Sequence, residues 1–178
     1  NNRGEIFDAL MRKEIFATTG TRLRVRLFAG WDFKPGDELA PDFAELGYTR
    51  GVPMGGRLHS GSTGGAPSFI VRAQRDPDWA NLDRIQIIKG WVGSDGKTKE
   101  RIYDVALSGD RRGGEGGGGR GGGGGTGGVG RGAYTNTIGA PLLSAYWRDP
   151  DFNPDQRAFY YVRVLEIPTP RWTTYDSV

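Results

Sequence analysis

An acidic segment late in the sequence has side chains at the spacing of a calcium-binding loop. The first, third, fifth and seventh places of that loop are filled by Asp149, Asp151, Asn153 and Asp155. Carboxylate and amide oxygens are the ligands that Ca²⁺ prefers. However, the sixth place requires glycine and holds Pro154, and the twelfth requires a bidentate glutamate and holds Tyr160. These two departures count against a calcium site.

The same acidic segment repeats an earlier tetrapeptide. Residues 148–151 have the sequence Arg-Asp-Pro-Asp, which also occurs at residues 75–78. Asp-Pro steps are typical of turns, because the aspartate accepts hydrogen bonds from nearby backbone and proline fixes its own φ. We therefore predict that both copies are structural turns.

His59 is the only histidine, and the chain contains no cysteine. A multi-histidine metal cluster, a thiolate metal site and a cysteine nucleophile cannot be assembled from such a composition. No Gly-x-Ser-x-Gly segment accompanies His59, which argues against Ser-His-Asp chemistry. We assign no catalytic residue and no metal ligand, and we keep His59 as a candidate pocket residue against the interpretation that it is an ordinary loop residue.

Residues 93–98, Gly-Ser-Asp-Gly-Lys-Thr, partly resemble a phosphate-binding loop. That motif requires a glycine at position 91, where this sequence has Trp91, and a helix should follow. Asp95-Gly96 lies between two runs with strand character, a combination typical of a β-hairpin turn. We predict a hairpin.

Basic residues nearly balance acidic ones, with 24 against 21 and a net charge of +3. This balance argues against a nucleic-acid binder that depends on electrostatic attraction. Arginines at 22, 24 and 26 are expected to face solvent or carboxylates. Tryptophans at 31, 91, 147 and 172 are expected to fill the core or an interface, with sugar stacking as the alternative.

Glycine fills 15 of the 20 positions from 113 to 132. Three interpretations remain open: a flexible linker, an RNA-binding Arg-Gly-Gly segment, and glycines that stand at positions whose true side chains were never identified.

Hydrophobic periodicity predicts a mainly β protein. Residues 4–14 have the pattern of an amphipathic helix, and residues 31–65 are expected to be irregular apart from a short strand at 52–58. Strands are predicted at 21–27, 68–74, 84–92, 99–108, 142–148 and 158–167. This order predicts a β-sandwich-like domain with one N-terminal helix. No apolar run is long enough to span a bilayer.

Several long segments together point to one family: residues 5–10, 17–20, 51–56, 83–90, 134–140 and 165–176. They resemble a bacterial family known only as domain-of-unknown-function family 3604. The resemblance covers nearly the whole chain, apart from the glycine-rich tract.

Members of that family are similar to metal-dependent hydrolases of the polymerase-and-histidinol-phosphatase type. The resemblance implies an upstream α/β barrel that carries the metal ligands, with this chain as the C-terminal part of a longer protein. Residues 1–20 would then be the last helix and turn of the barrel, and residues 21–178 the β-sandwich-like domain. The resemblance also suggests a periplasmic or extracellular location.

We therefore expect an accessory β-domain of a hydrolase that is not active by itself, with a carbohydrate- or protein-binding module as the alternative. Candidate substrate-binding residues are Thr18, Thr19, Arg22, His59, Arg171 and Trp172. No cofactor is expected in this chain, and a divalent metal is expected in the barrel. The expected partner is that barrel, without nucleic acid or membrane, and self-association is left open.

Overall fold

The computed structural model describes residues 2–59, 65–109 and 136–169. The glycine-rich tract and the candidate residues Arg171 and Trp172 lie outside these ranges. The helices are α1 (Arg3–Arg12), α2 (Phe43–Arg50) and a short 3₁₀ turn at Asp37–Leu39. The strands are β1 (Arg24–Gly30), β2 (Gly51–Pro53), β3 (Ser68–Gln74), β4 (Leu82–Val92), β5 (Thr98–Leu107), β6 (Leu142–Arg148) and β7 (Ala158–Glu166).

The strands form two antiparallel sheets. One has the order β2-β1-β3-β6 and the other has the order β5-β4-β7. The predicted mainly β, sandwich-like fold is confirmed.

The main core lies between the sheets and follows the period of two that a strand imposes. Val25 and Leu27 point inward from β1, and Phe69, Val71 and Ala73 do so from β3. The facing sheet contributes Leu82, Ile85 and Ile87 from β4, all with no exposed surface. The outward positions Arg24 and Arg26 are exposed, as the sequence pattern predicts.

The other face of the first sheet is covered by α2, and here the sequence-based prediction is wrong. Residues 31–65 were expected to lack a helix, but Phe43 of α2 packs with Phe28, Phe33 and Ile70 in a second core. The helix is short and contains Gly47, so its periodicity is weak. Gly47 is needed because a β-carbon there would lie 2.3 Å from the Phe28 ring. The strand in this region, β2, is also shorter than the predicted 52–58.

Arg72 of β3 links α2 and the residues just before it to the sheet. Its Nη2 donates to the carbonyls of Glu38 (2.7 Å) and Ala40 (3.0 Å). Its guanidinium also lies 4.5 Å from the centre of the Phe43 ring. One side chain thus satisfies backbone acceptors and packs on an aromatic face.

The predicted hairpin between β4 and β5 is confirmed. The Gly93 N–H donates to the Lys97 carbonyl at 2.8 Å, which closes the turn. Gly96 adopts φ of 73°, a conformation that glycine enters without steric cost.

Helix α1 forms as predicted, with capping at both ends. The Asn2 side chain accepts from the Glu5 backbone, the Glu5 side chain accepts from the Asn2 backbone, and Lys13 ends the helix in a left-handed conformation. No helix within the described residues is long and apolar enough to cross a membrane. The assignment of α1 to a preceding barrel stays a prediction.

Candidate functional site

A cleft of about 930 Å³ opens between the segment 52–59, which includes the end of β2, and the segment 152–160, which leads into β7. Its volume lies in the range of small-molecule sites. Its floor includes Leu27 and Phe69, inward-facing residues of the first sheet.

Aromatic side chains form the walls of the cleft and fix one another. The Trp31 indole N–H donates to the His59 carbonyl at 2.9 Å and so holds the 52–59 segment in place. The Trp31 ring meets Phe152 edge to face, with 5.8 Å between ring centres. Tyr160 packs against Phe69 at 4.7 Å. Aromatic rings therefore line the cleft near Trp31 and near Tyr160.

Polar side chains lie at the rim of the cleft. Arg57, His59, Asp155 and Arg157 line it and are exposed, and Gln156 lines it and is half-buried. The cleft therefore offers both hydrogen-bonding groups and aromatic side chains to a ligand.

Behind the cleft wall lies a buried ion pair between the two sheets. Lys89 Nζ lies 2.6 Å from Asp149 Oδ2, and their side chains are 3% and 0% exposed. Lys89 also donates to the Asp151 carbonyl at 2.7 Å. The Tyr160 hydroxyl donates to the same Asp149 oxygen at 2.6 Å. A cleft residue is thereby anchored to a charge pair that is shielded from water.

A second tyrosine extends this polar network. The Tyr103 hydroxyl donates to Asp151 Oδ2 at 2.5 Å, and Arg101 pairs with that oxygen at 2.7 Å. Burial, and then the hydrogen bond to Asp149, raises the pKa of Tyr160, and burial with the hydrogen bond to Asp151 raises the pKa of Tyr103. Both hydroxyls therefore remain protonated donors at neutral pH.

The calcium-like spacing belongs to a turn, as the repeated tetrapeptide indicates. Asp149 Oδ1 accepts from the Asp151 backbone at 2.9 Å, and Asn153 Oδ1 accepts from the Asp155 backbone at 2.9 Å. Asp149 Oδ2 accepts from Lys89 and Tyr160, and Asp151 Oδ2 accepts from Tyr103 and pairs with Arg101. Across residues 2–59, 65–109 and 136–169, no three His, Asp or Glu side chains gather as a metal site.

The candidate residues that were predicted from the sequence do not all lie in the cleft. His59 lines the cleft, whereas Thr18, Thr19 and Arg22 do not. Thr18 and Thr19 are exposed in the segment that joins α1 to β1. Arg22 pairs with Asp76 (3.3 Å) and Asp78 (2.9 Å) while 78% of its side chain is exposed. This agrees with the expected pairing of the arginine stripe with carboxylates.

Sequence reasoning missed Arg57, Arg157 and Tyr160 as cleft residues and Lys89 as a buried cation. One signal for Lys89 was available. It interrupts an apolar run in β4, residues 85–91, and a charge in a buried strand requires an oppositely charged partner. The cleft residues had no such signal, because only the packing of the two sheets brings residues 57 and 157 to one opening.

Comparison with known proteins places the whole chain in one family. The model of a protein family of unknown function, DUF3604, matches residues 1–178. No curated protein and no solved structure was found to match the chain. With a match over its full length and a mainly β fold of two antiparallel sheets, the chain belongs to the DUF3604 family.

Proposed function

We propose that this chain is the accessory β-domain of a metal-dependent hydrolase and that α1 docks against a preceding catalytic barrel. The resemblance to hydrolases of the polymerase-and-histidinol-phosphatase type suggests the barrel. In this proposal the barrel's own ligands hold the divalent metal, which activates water for attack on an ester, amide or phosphoester. The chain described here supplies a scaffold beside that site.

One observation carries the proposal: the apolar face of α1 is bare. Ile6, Phe7, Leu10 and Met11 are 60%, 59%, 51% and 66% exposed. An amphipathic helix normally buries its apolar stripe, and a helix of this length is marginal in water without tertiary packing. A partner surface that covers this stripe supplies the missing packing.

The end of α1 meets the rim of the cleft. Gly55, which lines the cleft, has φ of 83°, and a β-carbon there would lie 2.3 Å from the Lys13 carbonyl oxygen. The Tyr48 hydroxyl donates to Glu14 just beyond α1. A barrel docked on α1 would therefore stand close to the cleft, and residues Thr18, Thr19 and Arg22 would lie in the connecting segment. Arg171 and Trp172 remain proposed contacts of the same site.

Hydrogen exchange tests the docking. We expect the α1 amides to exchange at least about tenfold more slowly in a polypeptide that includes the upstream residues than in the 178-residue chain, since packing suppresses local opening. Leu10→Asp should remove that protection, whereas Arg3→Asp, on an exposed polar position of the same helix, should keep it. Equal exchange in both polypeptides would contradict the proposal, as would metal-dependent hydrolysis by the 178-residue chain alone.

A second candidate function is carbohydrate binding through the cleft. The observation that favours it is the pair of aromatic walls around Trp31 and Tyr160, since sugar rings stack on such faces. Calorimetric titration with oligosaccharides tests this function separately from the docking of α1.

A further inference from the structure

We propose that the cleft selects acidic sugars, meaning oligosaccharides that carry carboxylate or sulfate groups. This inference rests on the second candidate function, carbohydrate binding, and is independent of the docking of α1. Arg57 and Arg157 are the two residues that recognise the charge of the ligand.

Arg57 and Arg157 differ from most other arginines in having no bonding partner among the described residues. Most arginines that the structure describes are engaged: Arg22, Arg50, Arg84 and Arg101, for example, pair with carboxylates. Others, including Arg72 and Arg75, donate to backbone carbonyls. Within residues 2–59, 65–109 and 136–169, the side chains of Arg57 and Arg157 make no hydrogen bond or ion pair, and both line the cleft. Two guanidinium groups at one opening are thus available to a ligand.

A guanidinium group is well suited to binding an acid group. Its planar donors match a carboxylate or sulfate bidentately, and such charge-assisted hydrogen bonds are about twice as strong as neutral ones. Arg57 and Arg157 belong to the two segments that face each other across the cleft. The proposal places the acid group of the ligand between these two segments.

The other groups in the cleft suit a sugar. Asp155 lines it and can accept hydrogen bonds from hydroxyl groups. Gln156 can both donate to and accept from hydroxyls. Trp31, Phe152 and Tyr160 line the same cleft with aromatic rings. An acidic sugar combines an acid group, several hydroxyl groups and an apolar ring face.

The cleft adjoins a second groove. A second groove of about 470 Å³ runs past Phe159 to Trp91 and shares Arg157, Ala158 and Phe159 with the cleft. Phe159 is 61% exposed at this boundary. Two adjoining spaces with Arg157 between them suit several linked sugar units.

Calorimetric titration of the 178-residue chain with three hexasaccharides tests the inference: hexagalacturonate for carboxylate, a chondroitin sulfate hexasaccharide for sulfate, and cellohexaose as the neutral reference. We expect at least one acidic probe to bind about tenfold or more tightly than cellohexaose, and added salt to weaken it. The stronger acidic probe identifies the acid group.

Substitutions complete the test. Arg57→Gln and Arg157→Gln should each weaken the acidic probe about tenfold and leave cellohexaose unchanged. Arg24→Gln is the matched control, because Arg24 is exposed on β1 and does not line the cleft. Arg157→Lys, which keeps the charge but loses the planar fork, should weaken the acidic probe by a smaller factor. Thermal unfolding verifies that each variant is folded.

The outcomes distinguish two failures. If cellohexaose binds as tightly as both acidic probes, or if the arginine variants bind normally, the selection of acidic sugars is wrong and carbohydrate binding survives. If none of the three hexasaccharides binds, carbohydrate binding itself fails, and the inference fails with it.

Discussion

The two Arg-Asp-Pro-Asp segments form the same turn but bind different cations. In each, the first aspartate accepts from the backbone two residues later: Asp76 Oδ1 from Asp78 at 3.1 Å and Asp149 Oδ1 from Asp151 at 2.9 Å. They follow β3 and β6, which pair antiparallel, so they lie at opposite ends of one sheet. The same four residues dictate the turn because the interaction is local.

The difference lies in the other carboxylate oxygen. Asp76 Oδ2 accepts from the Arg22 backbone at 2.8 Å and from its guanidinium, whose side chain is 78% exposed. Asp149 Oδ2 accepts from Lys89, whose side chain is 3% exposed, and from Tyr160. Asp76, itself only 4% exposed, binds the exposed Arg22, whereas Asp149 compensates the charge of the buried Lys89. Local sequence sets the turn, and packing sets its electrostatic role.

The largest expected effect comes from Asp149→Ala. This change leaves the Lys89 ammonium buried without a counter-charge, which typically costs about 3–5 kcal/mol. Urea unfolding measures the loss. The double variant Lys89→Met with Asp149→Asn removes both charges and should be more stable than Asp149→Ala. If Asp149→Ala costs no more than Asp76→Ala, the contrast between the two turns is wrong.

A smaller effect is expected from Tyr160→Phe. The change removes the hydroxyl that donates to Asp149, and a net loss of about 1 kcal/mol is typical for one hydrogen bond. Tyr161→Phe is the control, because the Tyr161 side chain on the next position of β7 is 41% exposed. Its unfolding free energy should change by less than about 0.5 kcal/mol. Equal losses in the two variants would show that the Tyr160 hydroxyl contributes nothing special.

The smallest effect, and one that depends on pH, is expected from Asp76→Asn. The backbone hydrogen bond from Arg22, followed by that from Asp78, lowers the pKa of Asp76 below its ordinary 3.8. The folded state therefore favours the ionised form, and its stabilisation is fully present above the unfolded pKa and is lost as pH falls through the folded pKa. Unfolding measured from pH 6 to pH 3 should show wild type more stable at pH 6, with the difference shrinking below about pH 4. A difference that stays constant with pH would refute this role of ionisation.

The sequence predicted the elements whose patterns are local. Alternating Leu23, Val25 and Leu27 indicated β1, and Asp95-Gly96 indicated the hairpin between β4 and β5. Helix α2 escaped prediction because its stability comes from Phe43 packing on Phe28 and from the Gly47 contact, neither of which a helical period reveals. Phe28, an apolar residue out of phase with Leu27, was the available indication that a second layer covers the sheet.

By itself, the sequence determined a mainly β chain, its strand order along the polypeptide and two identical turns, since each follows from side-chain alternation or from hydrogen bonds a few residues apart. Only the tertiary structure decided that Lys89 meets Asp149, that Trp31 holds the His59 backbone, and that Arg57 and Arg157 line one cleft. These residues are far apart in the chain, and the packing of one sheet on the other determines their proximity.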